Sequence, residues 1–193
     1  MNPALTDILT KLMNSDDTTV GGGCASALSG AMAAGMVSMV AKLSKKKPAG
    51  LTPAQYDEIA AECDDLVLRL EQGCAEDARA YRMIVDAYKL PKDTEEQLAA
   101  RRAAVQVAAV RAAEVPRDNG VMCARVHELG TMLKGRSNPA CLSDLTSALY
   151  LSEGGVKDCV LNIRANLGMI RDPEVCSRLK EDMLDLLLKA ICY

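Results

Sequence analysis

Gly21-Gly22-Gly23-Cys24-Ala25-Ser26-Ala27-Leu28-Ser29-Gly30-Ala31-Met32-Ala33-Ala34-Gly35-Met36-Val37-Ser38-Met39-Val40-Ala41 carries no charge, and the uncharged run reaches back to Thr18. Its length alone permits a membrane span. Its content is Gly, Ala, Ser and Met in place of Leu, Ile and Phe, and no second span accompanies it, so it reads more simply as the buried central helix of a bundle. Ala27, Gly30, Ala34 and Ser38 recur every three or four residues, a stripe of small side chains along which neighbouring backbones approach closely. Such a helix has to be enclosed by others.

Outward from this stretch the apolar spacing stays helical, with no window of strict alternation long enough for a strand. A first helix covers about Met1 to Asn14, closed by Asn14-Ser15-Asp16-Asp17. The central helix runs from about Gly22 to Ser44, where Lys45-Lys46-Lys47-Pro48 ends it with cations that suit a C-terminal dipole. Pro53 opens a third helix lasting to Tyr88, stopped by Leu90-Pro91. The fourth starts after Asp93, an N-cap with Glu96 as its capping-box partner, and runs past a kink at Pro116 to near Gly135. The fifth covers about Pro139 to Leu167, and the sixth follows Asp172-Pro173 to the end. The expected fold is an all-α antiparallel bundle of about six helices, some long, in one domain over residues 1–193.

Composition narrows the function classes. The 193 residues hold 23 basic and 26 acidic side chains, a net charge of −3, and 3% aromatics, all Tyr. Neither phosphate backbones nor anionic lipid find a general attraction, and base-stacking platforms lack rings, so no nucleic-acid or membrane partner is expected. The eight cysteines, at 24, 63, 74, 123, 141, 159, 176 and 192, form no CxxC pair. They read as small buried apolar residues of a reducing cytoplasm, with no metal site. Met1 to Met13 lacks the basic start and apolar core of a signal peptide.

Several groups can carry chemistry. Gly21-Gly22-Gly23 ahead of a helix exposes backbone N–H groups at a positive dipole end, which suits an anionic or carbonyl ligand; a tight turn would use the same glycines. It is neither a P-loop nor a dinucleotide fingerprint, since no Lys-Ser/Thr follows and no strand precedes. Asp77 and Tyr81, one turn apart on the third helix, share a face with Val85 and Tyr88. Ser137-Asn138-Pro139 and Ser143-Asp144 deliver polar groups to the start of the fifth helix. Asn162 and Asn166 stand further along it. Five turns, roughly 27 Å, separate Asp144 from Asn162, so one small ligand meets both only if it is long or if a second subunit brings them together. His127, the sole histidine, reads as a surface residue, and Cys24 as a packed small one.

The blocks Gly21 to Ala34, Val37 to Ala41, Asp77-Ala78-Arg79-Ala80-Tyr81, Leu90 to Glu96, Ala112 to Pro116, Asn138, Ser143-Asp144 and Asn162 to Leu167 keep one order along the chain. Together they resemble the cyclodeaminase/cyclohydrolase family that acts on tetrahydrofolate one-carbon units, over about residues 4 to 190. The resemblance implies an all-helical subunit, a homodimer or larger, with a tetrahydrofolate derivative as substrate and no tightly bound cofactor. It implies Asp77 or Asp144 as proton carrier, Tyr81 as its orienting partner, and Gly21, Gly22 and Gly23 as backbone anchors. Lys45, Lys46 and Lys92 are expected to hold the glutamate tail, with Asn138, Asn162 and Asn166 as further substrate contacts. The implied activity is cyclohydrolase, with cyclodeaminase the alternative and a non-catalytic helical module the third reading. Cys24 stands where the family generally has Ser, which removes a hydroxyl donor from the site.

Overall fold

A computed structural model describes residues 3–191, so what the sequence leads one to expect of Met1, Asn2, Cys192 and Tyr193 lies outside it. Six α-helices follow one another: α1 (Pro3–Leu12), α2 (Gly22–Lys45), α3 (Pro53–Lys89), α4 (Glu95–Met132), α5 (Leu142–Leu167) and α6 (Pro173–Ile191), with a single 3₁₀ turn at Pro139–Cys141 ahead of α5. No strand occurs among the described residues.

The small-residue stripe determines the packing. Ala27, Gly30, Ala34 and Ser38 are all buried, and α2 lies among α3, α4 and α5. At Gly30 a Cβ would overlap the Cys123 thiol of α4 and reach Leu70 of α3 at 3.1 Å, so three backbones crowd where the side chain is absent. Helix α2 is long and apolar enough to cross a membrane, yet most of that apolar window is buried inside the bundle. Ser38 meets its polar obligation sideways, donating to Asp64 of α3 at 2.6 Å.

Two boundaries differ from the reading by sequence. The N-cap of α4 is Thr94, not Asp93: its hydroxyl accepts the Gln97 N–H at 3.2 Å while the Gln97 side chain takes the Thr94 N–H. A Thr and Gln three apart form the same reciprocal box as Asp and Glu, shifted by one residue. The fifth helix begins at Leu142, because the Asn138 side chain caps the 3₁₀ turn by accepting from the Ala140 N–H at 3.1 Å. His127 is buried, not a surface residue. It faces inward from α4 against the Ser152 hydroxyl at 3.0 Å, and burial holds its pKa below the usual value.

Candidate functional site

The first turn of α2 has N–H groups without helical partners, because the first intrahelical bond runs from the Ala25 N–H to the Gly21 carbonyl. No side chain of the N-cap residue, Gly21, covers them. The Cys24 N–H donates instead to the carboxylate of Asp77 on α3. The Cys24 thiol lies 3.5 Å from Asp77 Oδ2 and 3.3 Å from the Cys74 carbonyl. That carboxylate fills the place a side chain at Gly23 would take, since a Cβ there would overlap its oxygens. Glycine at position 23 is therefore what lets Asp77 reach the end of α2.

Two opposing effects act on Asp77. Burial, the larger, raises its pKa above the ordinary carboxylate value, and the hydrogen bonds from Cys24 pull it back only in part. A carboxyl held this way exchanges a proton closer to neutrality than a surface aspartate does. The thiol beside it does not compete: its hydrogen bond with Cys74 and its burial push Cys24 well above the usual thiol range, so it stays neutral.

Asp77 opens onto a cavity of about 240 Å³. Its walls are the tri-glycine corner and Thr18-Thr19-Val20 before it, the α3 face of Asp77, Ala80, Tyr81 and Ile84, and Ala112, Asn162, Ala165 and Asn166 from α4 and α5. The asparagines are aimed by the backbone. Pro116 has no N–H, so the carbonyl of Ala112 four residues earlier loses its helical donor. Asn166 Nδ2 donates to that carbonyl at 3.0 Å and to the Asn162 carbonyl at 2.9 Å, while Asn162 Nδ2 donates to the Asp158 carbonyl at 2.8 Å. With their NH₂ groups engaged, the amide oxygens remain as acceptors for a ligand. The pocket thus offers a carboxyl of raised pKa, open N–H groups and two fixed acceptors.

Gly21, Gly22, Gly23, Asp77, Tyr81, Asn162 and Asn166 converge on this cavity, though they come from three distant segments. Tyr81 stands at the rim, 44% exposed. Asp77 takes its hydrogen bonds from Cys24 and not from Tyr81, so position 24, expected to lose its part in the site, is what orients the carboxylate. Lys45, Lys46, Asn138 and Asp144 are not at this pocket within one chain. The Asn138 N–H donates to Ser44 at the far end of α2, some 32 Å from Gly23 at the rise of a helix. Lys45 there is paired with Asp57 at 2.6 Å. Asp144 sits in the first turn of α5 beside that same end. Lys92 lies in the exposed loop between α3 and α4. Arg101, Arg102 and Arg171 escaped the sequence reading; they gather around a second cavity with Tyr88. The adjacent arginines at 101 and 102 were a signal, but nothing local ties them to Arg171.

A helical bundle whose central helix begins at a glycine corner facing a half-buried acid defines a class of small-ligand site rather than a docking surface. Residues 5–185 match the formiminotransferase-cyclodeaminase family, and the chain belongs to it. Over 173 residues it is 32% identical to a methenyltetrahydrofolate cyclohydrolase of Methylorubrum extorquens, covering 89% of this chain and 83% of that one. It is 28% identical over 177 residues to the formimidoyltransferase-cyclodeaminase of Gallus gallus, covering 88% of this chain. The chain spans only 32% of the length of that longer relative. The crystal structure of a formiminotetrahydrofolate cyclodeaminase from Thermotoga maritima has the same fold, with a TM-score of 0.78 at 24% identity over 89% of this chain and 82% of that one.

Proposed function

We propose that the chain is a methenyltetrahydrofolate cyclohydrolase, converting 5,10-methenyltetrahydrofolate and water to 10-formyltetrahydrofolate. The observation that supports this most is the half-buried Asp77 carboxylate at the glycine start of α2, in a chain similar to a cyclohydrolase over most of that enzyme's length. The reaction needs a base for water and an acid for N5. Water adds to the cationic methenyl carbon as Asp77 takes its proton, giving a tetrahedral carbon that bears a hydroxyl, N5 and N10. The bond from carbon to N5 then breaks; N5 takes the proton from Asp77, and the hydroxyl gives its own to solvent as it becomes the formyl oxygen. Open N–H groups at Gly22 and Gly23 suit that oxygen as its negative charge grows. The Asn162 and Asn166 oxygens suit the amino and ring N–H donors of a pterin.

The relatives named as cyclodeaminases favour a second reading, in which N10 of 5-formiminotetrahydrofolate attacks the amidine carbon and ammonia leaves. The same carboxylate would take the N10 proton and supply the departing amine. In either case the folate is substrate, and no tightly bound cofactor enters the scheme. We place the protein in the cytoplasm as a homodimer or larger assembly, in which the exposed Met32 and Met39 of α2 and Leu68 of α3 are a strip to be covered. Lys45, Lys46, Asn138 and Asp144 enter a folate site only from a second subunit. Purified protein mixed with each folate, with the methenyl absorbance followed, separates the readings. Decay of the methenyl compound above its buffer rate supports the cyclohydrolase, and a rise from the formimino compound the cyclodeaminase. Silence with both refutes the enzyme reading and favours the non-catalytic module.

A further inference from the structure

A proton carrier alternates between two forms, and its partner has to suit both. In the proposed cycle Asp77 is a carboxylate when it takes the proton of water and a carboxylic acid when it gives that proton to N5. A backbone N–H only donates, so the Cys24 N–H at this side chain serves the ionised form. The Cys24 thiol is different. Its Sγ lies 3.5 Å from Asp77 Oδ2 and 3.3 Å from the Cys74 carbonyl, two acceptors for one hydrogen. That carbonyl lies inside α3, where the helical bond takes one lone pair and leaves the other for the thiol. Cys24 is fully buried, so solvent does not compete for the hydrogen.

These distances suit two arrangements of one unmoved side chain. With Asp77 ionised, the S–H donates to Oδ2. With Asp77 protonated, the S–H turns to the Cys74 carbonyl and the sulfur accepts the O–H of Oδ2. The exchange is a rotation about the Cβ–Sγ bond. No other group around Asp77 is placed to do this. Tyr81, the other titratable side chain lining the cavity, stands at its rim, and the walls from α4 and α5 are Ala112, Asn162, Ala165 and Asn166. The Cys74 thiol is buried beside that of Cys24, and Glu76 is held by Arg79 and Arg111. A thiol is also a weak donor. A hydroxyl in its place would favour the carboxylate more strongly and make it a poorer base, whereas a methyl group would leave it the Cys24 N–H alone.

We infer that Cys24 is a positioning residue for proton transfer, its thiol hydrogen turning from Asp77 to the Cys74 carbonyl each time the carboxylate gains a proton and back when the proton leaves. Asp77 is the proton carrier on the proposed reading of the site, and the role of Cys24 rests on that reading.

The test is the pH dependence of kcat for wild type, Cys24→Ala, Cys24→Ser and Asp77→Asn, with whichever folate the wild type turns over. Each profile is read as the rate about one pH unit below the wild-type midpoint, divided by the plateau rate. That ratio is expected to fall about twofold or more in Cys24→Ala and to rise about twofold or more in Cys24→Ser. KM is expected to stay within about twofold of wild type in both, since neither change touches the folate. Infrared spectra add a readout that needs no substrate. The S–H stretching band present in wild type and missing from Cys24→Ser is expected to shift as pH crosses the wild-type midpoint, and to stay fixed in Asp77→Asn.

An unchanged ratio in Cys24→Ala, or a change of the same sign in Cys24→Ala and Cys24→Ser, overturns the role of Cys24 alone, provided that Asp77→Asn has lost the acid limb. A wild-type S–H band that does not move with pH overturns it too. An acid limb kept in Asp77→Asn, or no wild-type turnover of any folate, overturns the reading of Asp77 and the role of Cys24 with it. Circular dichroism on each variant confirms that the bundle is intact.

Discussion

At Asp77 a single side chain caps a foreign helix, fills the space of a missing Cβ and, in the proposed mechanism, carries the proton. Because burial favours its neutral form, its folded pKa exceeds its unfolded one. Stability at this residue is therefore greatest at low pH, falls as pH rises from the unfolded value through the folded one, and is level above both. Asp77→Asn keeps an acceptor for the Cys24 N–H and removes that slope. Melting temperatures between pH 4 and 8 are expected to show a smaller decline for the variant than for wild type. The three glycines, which look alike in sequence, separate in the structure. A Cβ at Gly21 meets nothing within 4 Å, one at Gly22 meets Asn162 Nδ2 at 3.1 Å, and one at Gly23 overlaps the Asp77 carboxylate. Turnover is expected to be near wild type in Gly21→Ala, reduced in Gly22→Ala and lost by about a hundredfold or more in Gly23→Ala, since misplacing a proton carrier costs orders of magnitude. Equal losses at all three positions would contradict this assignment of the space.

Among the elements, α2 and α4 show how packing and chemistry share one helix. Gly30 of α2 faces Cys123 and Leu70 and has no room for a methyl group, whereas Gly35 is exposed with only Val67 at 4.0 Å. In urea titrations Gly30→Ala is expected to destabilise by about 1–3 kcal/mol through overpacking. Gly35→Ala is expected to stabilise by about 0.5–1 kcal/mol through helix propensity. Pro116 of α4 leaves the Ala112 carbonyl for Asn166, so Pro116→Ala returns a helical donor to that carbonyl and frees the Asn166 amide. Its KM for folate is expected to rise severalfold with kcat little changed. An unchanged KM would show that Asn166 does not need this anchor. Element type and order were legible from periodicity and from Pro, Gly and Lys punctuation, to within a few residues. The start of α4 was missed because Thr94-Gln97 and Asp93-Glu96 are overlapping boxes of similar chemistry, and only geometry chooses between them.

For the whole molecule, what the sequence hid was distance between segments. Spacing along α5 showed that Asp144 and Asn162 lie far apart, but not which end of the bundle would hold Gly22. The answer came from the crossing of α2 over α3, which brings Gly23 to Asp77 and leaves Lys45, Lys46, Asn138 and Asp144 at the opposite end. His127 was misjudged for the same reason, since its partner Ser152 is on another helix. Assembly is tested at this scale by sedimentation, where wild type is expected to run as a dimer or larger and Met39→Glu, on the exposed strip of α2, to run smaller. The most direct measurement is the initial rate of methenyltetrahydrofolate loss as a function of pH, for wild type and Asp77→Asn. Wild type is expected to lose activity as pH falls through a midpoint above the ordinary aspartate range, where its base becomes protonated. Asp77→Asn is expected to be slower by about 10²–10⁴ and to lack that limb. Near-normal turnover in Asp77→Asn, with the limb preserved, would contradict the account.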